Sequence, residues 1–211
     1  MRNRTDSKGC RRFYIDDEAR APIMHQLLKA CYIHAVEGRG YRYIESEALD
    51  EAFKKIAGWL CEPSRKCGLF ITGRCGNGKT TMAWAISSLI FELYADRNLD
   101  EQKRVVHVSA ADIIEFAKAE DRQKMIMLQS TELLHIDDMG IEPAAIKVWG
   151  NEMSPITDVM YKRYDKLLFT IITSNLTEEE ICRRYGPRIG DRIVEMFNLI
   201  EFDDNSFRNR I

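Results

Sequence analysis

No run of apolar residues approaches the ~20 needed to cross a bilayer, which excludes a helical membrane span. The N-terminus also lacks the apolar centre of a secretory signal. No CxxC pair occurs, so neither a zinc ribbon nor a thioredoxin-like motif is supported. Six cysteines are scattered at positions 10, 31, 61, 67, 75 and 182, and we read them as reduced thiols of a cytoplasmic protein. Excess basic charge is missing too. The formal net charge is -2, so overall charge does not advertise nucleic-acid binding, although a local basic patch remains open. There is no internal repeat and no low-complexity stretch.

What remains is a globular composition, 45% apolar and 30% charged over 211 residues. That length suits one domain of ordinary size plus a short extra segment. Residues 1–12 form a basic arm, with Arg2, Arg4, Lys8, Arg11 and Arg12 against Asp6. It reads as a flexible tail or as an arm for phosphates or an acidic partner. Residues 13–45 read as an N-terminal helical segment stopped by Gly38-Arg39-Gly40. His25, Cys31 and His34 lie close together there and are read as part of a helix rather than as metal ligands. A second helix is expected from Ser46 to Leu60, with Leu49, Phe53, Ile56 and Leu60 on one face.

Beyond this point strands and helices alternate. Strands are expected at Gly68–Thr72, Val105–Val108, Leu133–Ile136, Leu167–Thr173 and Leu199–Phe202. Helices are expected over Thr80–Asp96, after Ser109, over Ile156–Tyr164, after the Thr177–Glu180 capping box, and from Arg188. Such alternation indicates a three-layer α/β domain with a mostly parallel sheet, over residues 46–211.

Gly73-Arg74-Cys75-Gly76-Asn77-Gly78-Lys79-Thr80 fits GxxxxGK[ST] at every fixed position. The glycines let successive backbone N–H groups converge on one anion, and the next helix adds its positive dipole end. Lys79 brings a mobile charge for the β- and γ-phosphates, and Thr81 continues the loop into the helix. The Thr80 hydroxyl suits Mg2+, which takes hard oxygen ligands. The motif follows a strand and opens a helix, as a phosphate loop must. ATP or ADP with Mg2+ is the expected ligand.

Hydrolysis needs one carboxylate near the metal and another to orient water. The strand Leu133-Leu134-His135-Ile136 runs into Asp137 and Asp138 at the sheet edge where ligands bind. Asp137 is the metal-side candidate and Asp138 the water-side one. Asp138 is shorter than glutamate, which points to slow turnover. Glu142 is near enough in sequence to assist.

The phosphate loop, the LLHIDD strand and Thr170-Ile171-Ile172-Thr173-Ser174-Asn175-Leu176 follow each other as in AAA+ ATPases. In detail residues 45–211 resemble the DnaC/DnaI-type helicase loaders and the related IstB transposition ATPases. The resemblance implies a P-loop NTPase core with five parallel strands in the order 5-1-4-3-2. It implies that Asn175 is the sensor 1 residue. Tyr185-Gly186-Pro187-Arg188-Ile189-Gly190-Asp191-Arg192 is similar to the loaders' arginine-finger segment. Arg192 is then the finger for a neighbouring subunit's ATP, and Arg188 a second phosphate or interface contact. Ser206-Phe207-Arg208 resembles the loaders' closing motif, which makes Arg208 the sensor 2 arginine. With three residues after it, a lidless core is expected.

The resemblance thus implies an ATPase that self-associates through its nucleotide and acts on a replicative helicase and single-stranded DNA. Candidate DNA contacts are the basic arm and Lys118, Arg122 and Lys124. An IstB-type transposition helper and a nucleotide-gated adaptor with negligible turnover are the alternatives.

Overall fold

The computed structural model describes residues 21–62, 66–95, 102–148 and 151–202. The basic arm and Arg208 lie outside them. The chain opens with two helices, α1 (Ala21–Glu37) and α2 (Glu47–Cys61). Gly38 to Gly40 form the turn that ends α1, and Ser46 caps α2 by accepting the Leu49 N–H at 3.1 Å. Alternation then follows: β1 (Gly68–Gly73), α3 (Lys79–Tyr94), β2 (Val106–Ser109), α4 (Ala110–Lys118), α5 (Arg122–Ser130) and β3 (Leu133–Met139). A short hairpin, β4 (Ile146–Val148) and β5 (Asn151–Met153), precedes α6 (Pro155–Asp165). The chain continues through β6 (Phe169–Ser174), α7 (Glu178–Tyr185), α8 (Pro187–Met196) and β7 (Phe197–Phe202).

The main sheet has the order β2-β3-β6-β1-β7, with every pairing parallel. Counting its strands along the chain, this is the expected 5-1-4-3-2. Alternation of side chains splits each strand between two cores. Leu69 and Ile71 of β1, Leu133 of β3 and Ile171 of β6 face one core, shared with Met24, Leu28, Phe53, Ile56, Met82 and Ile86 of α1, α2 and α3. Phe70, Leu134, Ile136 and Ile172 face the other, shared with Ile113, Val159, Ile181, Ile189 and Ile193 of α4, α6, α7 and α8. Helices therefore cover both faces, the three-layer architecture that an all-parallel sheet requires. Both anticipated capping boxes form, Ser109 with Asp112 on α4 and Thr177 with Glu180 on α7.

Two elements go beyond the sequence reading. Helix α5 and the β4–β5 hairpin are nine and three-plus-three residues long, too short for a clear apolar period. Arg163 of α6 fixes the first of them. Its guanidinium is fully buried and donates to the carbonyls of Leu128 and Thr131 at the end of α5, at 2.8 and 2.9 Å.

Candidate nucleotide site

The parallel register brings the C-terminal ends of β1, β3 and β6 side by side, with Thr72 opposite Ser174 and Ile136 opposite Ile172. Gly73 to Gly78 bridge β1 to α3. Gly78 is the N-cap of α3 with φ 92° and provides no side chain to cap it, so the first N–H groups of α3 face the loop. A Cβ there would collide with the Tyr32 hydroxyl, and one at Gly73 (φ 141°) would collide with the Phe202 carbonyl oxygen. The loop is also braced from within. Buried Asn77 donates through Nδ2 to the Phe202 carbonyl at 2.5 Å, tying the loop to β7. Gly76 also has positive φ, and Arg74 and Cys75 are exposed on the outside of the turn.

Lys79 sits at the centre, only 5% exposed. Its ammonium donates to the carbonyls of Gly73 and Arg74 and to Asn175 Oδ1, each at 2.8 Å, and lies 3.3 Å from Asn77 Oδ1. Asn175, one residue past β6, is thus brought onto the loop lysine. The Thr80 hydroxyl donates to Asp137 Oδ1 at 2.9 Å, and the Thr173 hydroxyl donates to the same oxygen at 2.5 Å. Thr80 and Asp137 place two hard oxygens together, a donor set that fits Mg2+.

Asp138 owes its place to a bulge. Three steps along β3, Ile136 to Met139, face two along β6, Ile172 to Ser174. Asp138 takes φ 53° and donates its N–H to Thr173 Oγ1 at 2.9 Å. The bulge and this bond fix the Asp138 backbone beside Asp137 at the sheet edge. Glu142 does not join them: its carboxylate, 3% exposed, accepts from the Gly140 N–H and the Tyr185 hydroxyl.

The sequence matches no protein-family profile and resembles no curated protein. Solved structures do match. The crystal structure of the DnaC helicase loader superposes with a TM-score of 0.59 at 22% identity, covering 75% of this chain and 92% of that one. The crystal structure of DnaI gives 0.57 at 22% identity, over 75% and 87%. The replication initiator DnaA bound to AMPPCP and single-stranded DNA gives 0.55 at 21% identity, over 79% and 50%. The chain shares the fold of these solved structures.

Within this shared fold, Arg188 and Arg192 stand on α8, apart from the loop cluster. Arg188 is exposed. Arg192 is half-buried with its guanidinium carbon 4.0 Å above the Tyr164 ring, and its Nη1 is 4.0 Å from Glu195. Of the basic run after β2, Lys118 pairs with Glu115 at 2.8 Å and Lys124 lies 3.5 Å from Asp121, while Arg122 is exposed.

Three site residues escape the sequence reading. Thr173 holds both Asp137 and the Asp138 backbone, yet in sequence it is one more strand residue. Arg39, in the turn after α1, donates to Thr81 Oγ1 at 3.2 Å, across a separation no motif spans. His135 was visible as a polar residue in an apolar strand. Strand alternation puts it with Asp137 on the α3 face, where it is 1% exposed. Its Nδ1 is 2.9 Å from His107 Nδ1, His107 Nε2 is 3.0 Å from Ser87 Oγ, and Trp84 stacks on His107 at 3.6 Å.

Burial lowers the pKa of both imidazoles, that of His107 to about 4. Each is therefore neutral when folded and protonates more readily when unfolded. The unfolded chain binds more protons below the ordinary histidine pKa of 6.5, so stability is full above that value and falls as pH drops towards about 4. The expected loss is up to about 1.4 kcal/mol per pH unit for each such group. Urea unfolding at pH 7.5, 6 and 5 checks this, and His107→Gln is expected to flatten the fall. An equal slope in that variant refutes the assignment.

Proposed function

We propose that the chain is a Mg2+-dependent, slowly hydrolysing ATPase of the helicase-loader kind, which converts nucleotide state into assembly on a replicative helicase and single-stranded DNA. One observation carries this reading. Lys79 bonds Asn175 and the adjacent Thr80 bonds Asp137, so the loop that opens α3, the strand β3 and the residue after β6 meet at one sheet edge. Supporting it, the matched structures include a helicase loader and an initiator bound to AMPPCP and single-stranded DNA.

In this proposal the loop N–H groups and Lys79 bind the ATP phosphates, with Thr81 following at the start of α3. Thr80 and Asp137 hold Mg2+, which supplies charge neutralisation of the phosphate oxygens. Asp138 orients the attacking water, and Asn175 reads the γ-phosphate beside Lys79. Arg208 contacts the same subunit's nucleotide. Arg192, with Arg188 beside it, reaches the nucleotide of a second copy, where a guanidinium matches the charge that develops on the phosphoryl group. ATP then closes a joint between subunits, and loss of the γ-phosphate loosens it. The protein acts in the cytoplasm.

The test is recovery of partners on the immobilised chain in ATP and in ADP, with phosphate release measured with and without single-stranded DNA. ATP-dependent recovery of a replicative helicase, with hydrolysis raised by single-stranded DNA, is the expected result. Recovery of a transposase alone, with preferred assembly on duplex DNA, replaces this reading by the IstB-type one. Tight nucleotide binding without phosphate release makes the chain an adaptor.

A further inference from the structure

Glu142 is a buried carboxylate that the proposed reaction leaves unused. Burying a carboxylate is costly unless its oxygens are satisfied, and here both are. Oε2 accepts the Gly140 N–H at 2.9 Å, and Oε1 accepts the Tyr185 hydroxyl. The Glu142 carbonyl accepts from the Arg184 guanidinium. Burial raises the pKa of the Tyr185 hydroxyl, which keeps it a donor. Glu142 therefore clasps the exit of β3 to the last turn of α7.

Both ends of this clasp are stiff. On one side Gly140 is two residues past Asp138, whose N–H is fixed to Thr173, and Thr173 in turn holds Asp137. A Cβ on Gly140 would lie 2.5 Å from Leu176 Cδ1, so the loop is packed against the residue after Asn175. On the other side α7 and α8 are in close contact. A Cβ on Gly190 would lie 2.7 Å from Cys182 Sγ, which leaves the two helices little room to slide past each other. Arg188 and Arg192 ride on α8. A displacement of the Asp137–Gly140 bulge is thus carried through one side chain to the helix pair that presents these arginines.

We infer that Glu142 is a positioning residue: by joining the Gly140 N–H to Tyr185, it makes the placement of the α7–α8 pair depend on what occupies the phosphate loop and the Asp137–Asp138 bulge. The inference rests on the ATP reading above. It concerns communication within one subunit, so it is testable without a helicase or DNA.

Amide exchange of residues 178–196 in the full chain, with and without AMPPCP and Mg2+, is the measurement, alongside titration of AMPPCP affinity. Tyr185→Phe keeps the ring and removes only the hydroxyl arm. Glu142→Gln keeps an acceptor for Tyr185 and sets an amide against the Gly140 N–H. In the unaltered chain nucleotide is expected to slow exchange in α7–α8 about fivefold or more. In either variant nucleotide affinity is expected to stay within about twofold, while the exchange response falls to near nothing. Loss of packing alone would raise exchange equally with and without nucleotide, and would not erase the response. A response in both variants equal to that of the unaltered chain overturns the inference. So does tight AMPPCP binding by the unaltered chain with no response in α7–α8. If the unaltered chain binds AMPPCP no better than Lys79→Ala does, the ATP reading itself fails, and this inference falls with it.

Discussion

Replacing Lys79 by alanine is expected to weaken ATP binding by about 100-fold or more and to abolish phosphate release. The reason lies in where the ammonium is held. It is 5% exposed and fixed by three oxygens at 2.8 Å, from Gly73, Arg74 and Asn175. A cation so placed is already desolvated and held at the loop itself, so it meets a phosphate by exchanging one of these oxygens for a phosphate oxygen. Alanine removes the charge and leaves Asn175 Oδ1 without its donor. Arginine is not a substitute, because a planar fork cannot satisfy acceptors arranged for a compact ammonium. Titration with a fluorescent ATP analogue measures the effect, and the thermal midpoint without nucleotide shows whether the fold survives. Affinity equal to that of the unaltered chain would remove Lys79 from the site.

The second large effect concerns stability. Arg163→Met is expected to destabilise the fold by about 3–5 kcal/mol, the usual cost when one partner is removed from a buried polar network. Arg163 is fully buried, and among the described residues no carboxylate pairs with it. Burial lowers its pKa to about 9, so it is still charged at neutral pH. What holds the charge is oxygen dipoles. The guanidinium donates to the carbonyls of Leu128, Thr131 and Phe169 at 2.7 to 2.9 Å and to the Thr170 hydroxyl at 2.9 Å. The first two lie at the C-terminal end of α5, where a cation also meets the negative end of the helix dipole. Methionine fills similar space and satisfies none of these acceptors. Arg163→Lys, with one nitrogen for four acceptors, is expected to recover only part of the loss. Urea unfolding at pH 7.5 measures both, and a methionine variant within 1 kcal/mol of the unaltered chain would refute the argument.

Much of the fold was legible because the signals were local. The capping residues Ser46, Ser109 and Thr177 stand where the helices begin, since a cap acts on N–H groups two or three residues away. The five expected strands all form, with ends shifted by at most three residues, because each is a short apolar run bounded by polar or turn residues. The spacing of Met82, Ile86, Leu89, Ile90 and Leu93 predicts an apolar face on α3; the first four are buried and Leu93 packs partly buried against the same core. Helix α5 was not legible. Leu128 is its single buried residue, so it shows no apolar period, and its C-terminus is held by Arg163 from another helix.

The candidate site divides in the same way. Sequence alone determined that Gly73 to Thr80 carries a phosphate-loop motif between a strand and a helix, because glycine spacing and one lysine spell that motif within eight residues. It also pointed to Asp137, Asp138 and Asn175 at strand ends. Only the tertiary structure decided how these meet. Thr173 became the brace of Asp137 and of the Asp138 backbone because β3 and β6 are neighbours in the sheet and a bulge inserts one residue there. Glu142, close to the acids in sequence, was drawn off to Tyr185, 43 residues on. Period and motif report what a residue does to its near neighbours along the chain. Which distant hydroxyl, carbonyl or ring completes its bonding is settled by strand order and helix packing, where burial makes an unpartnered polar group costly.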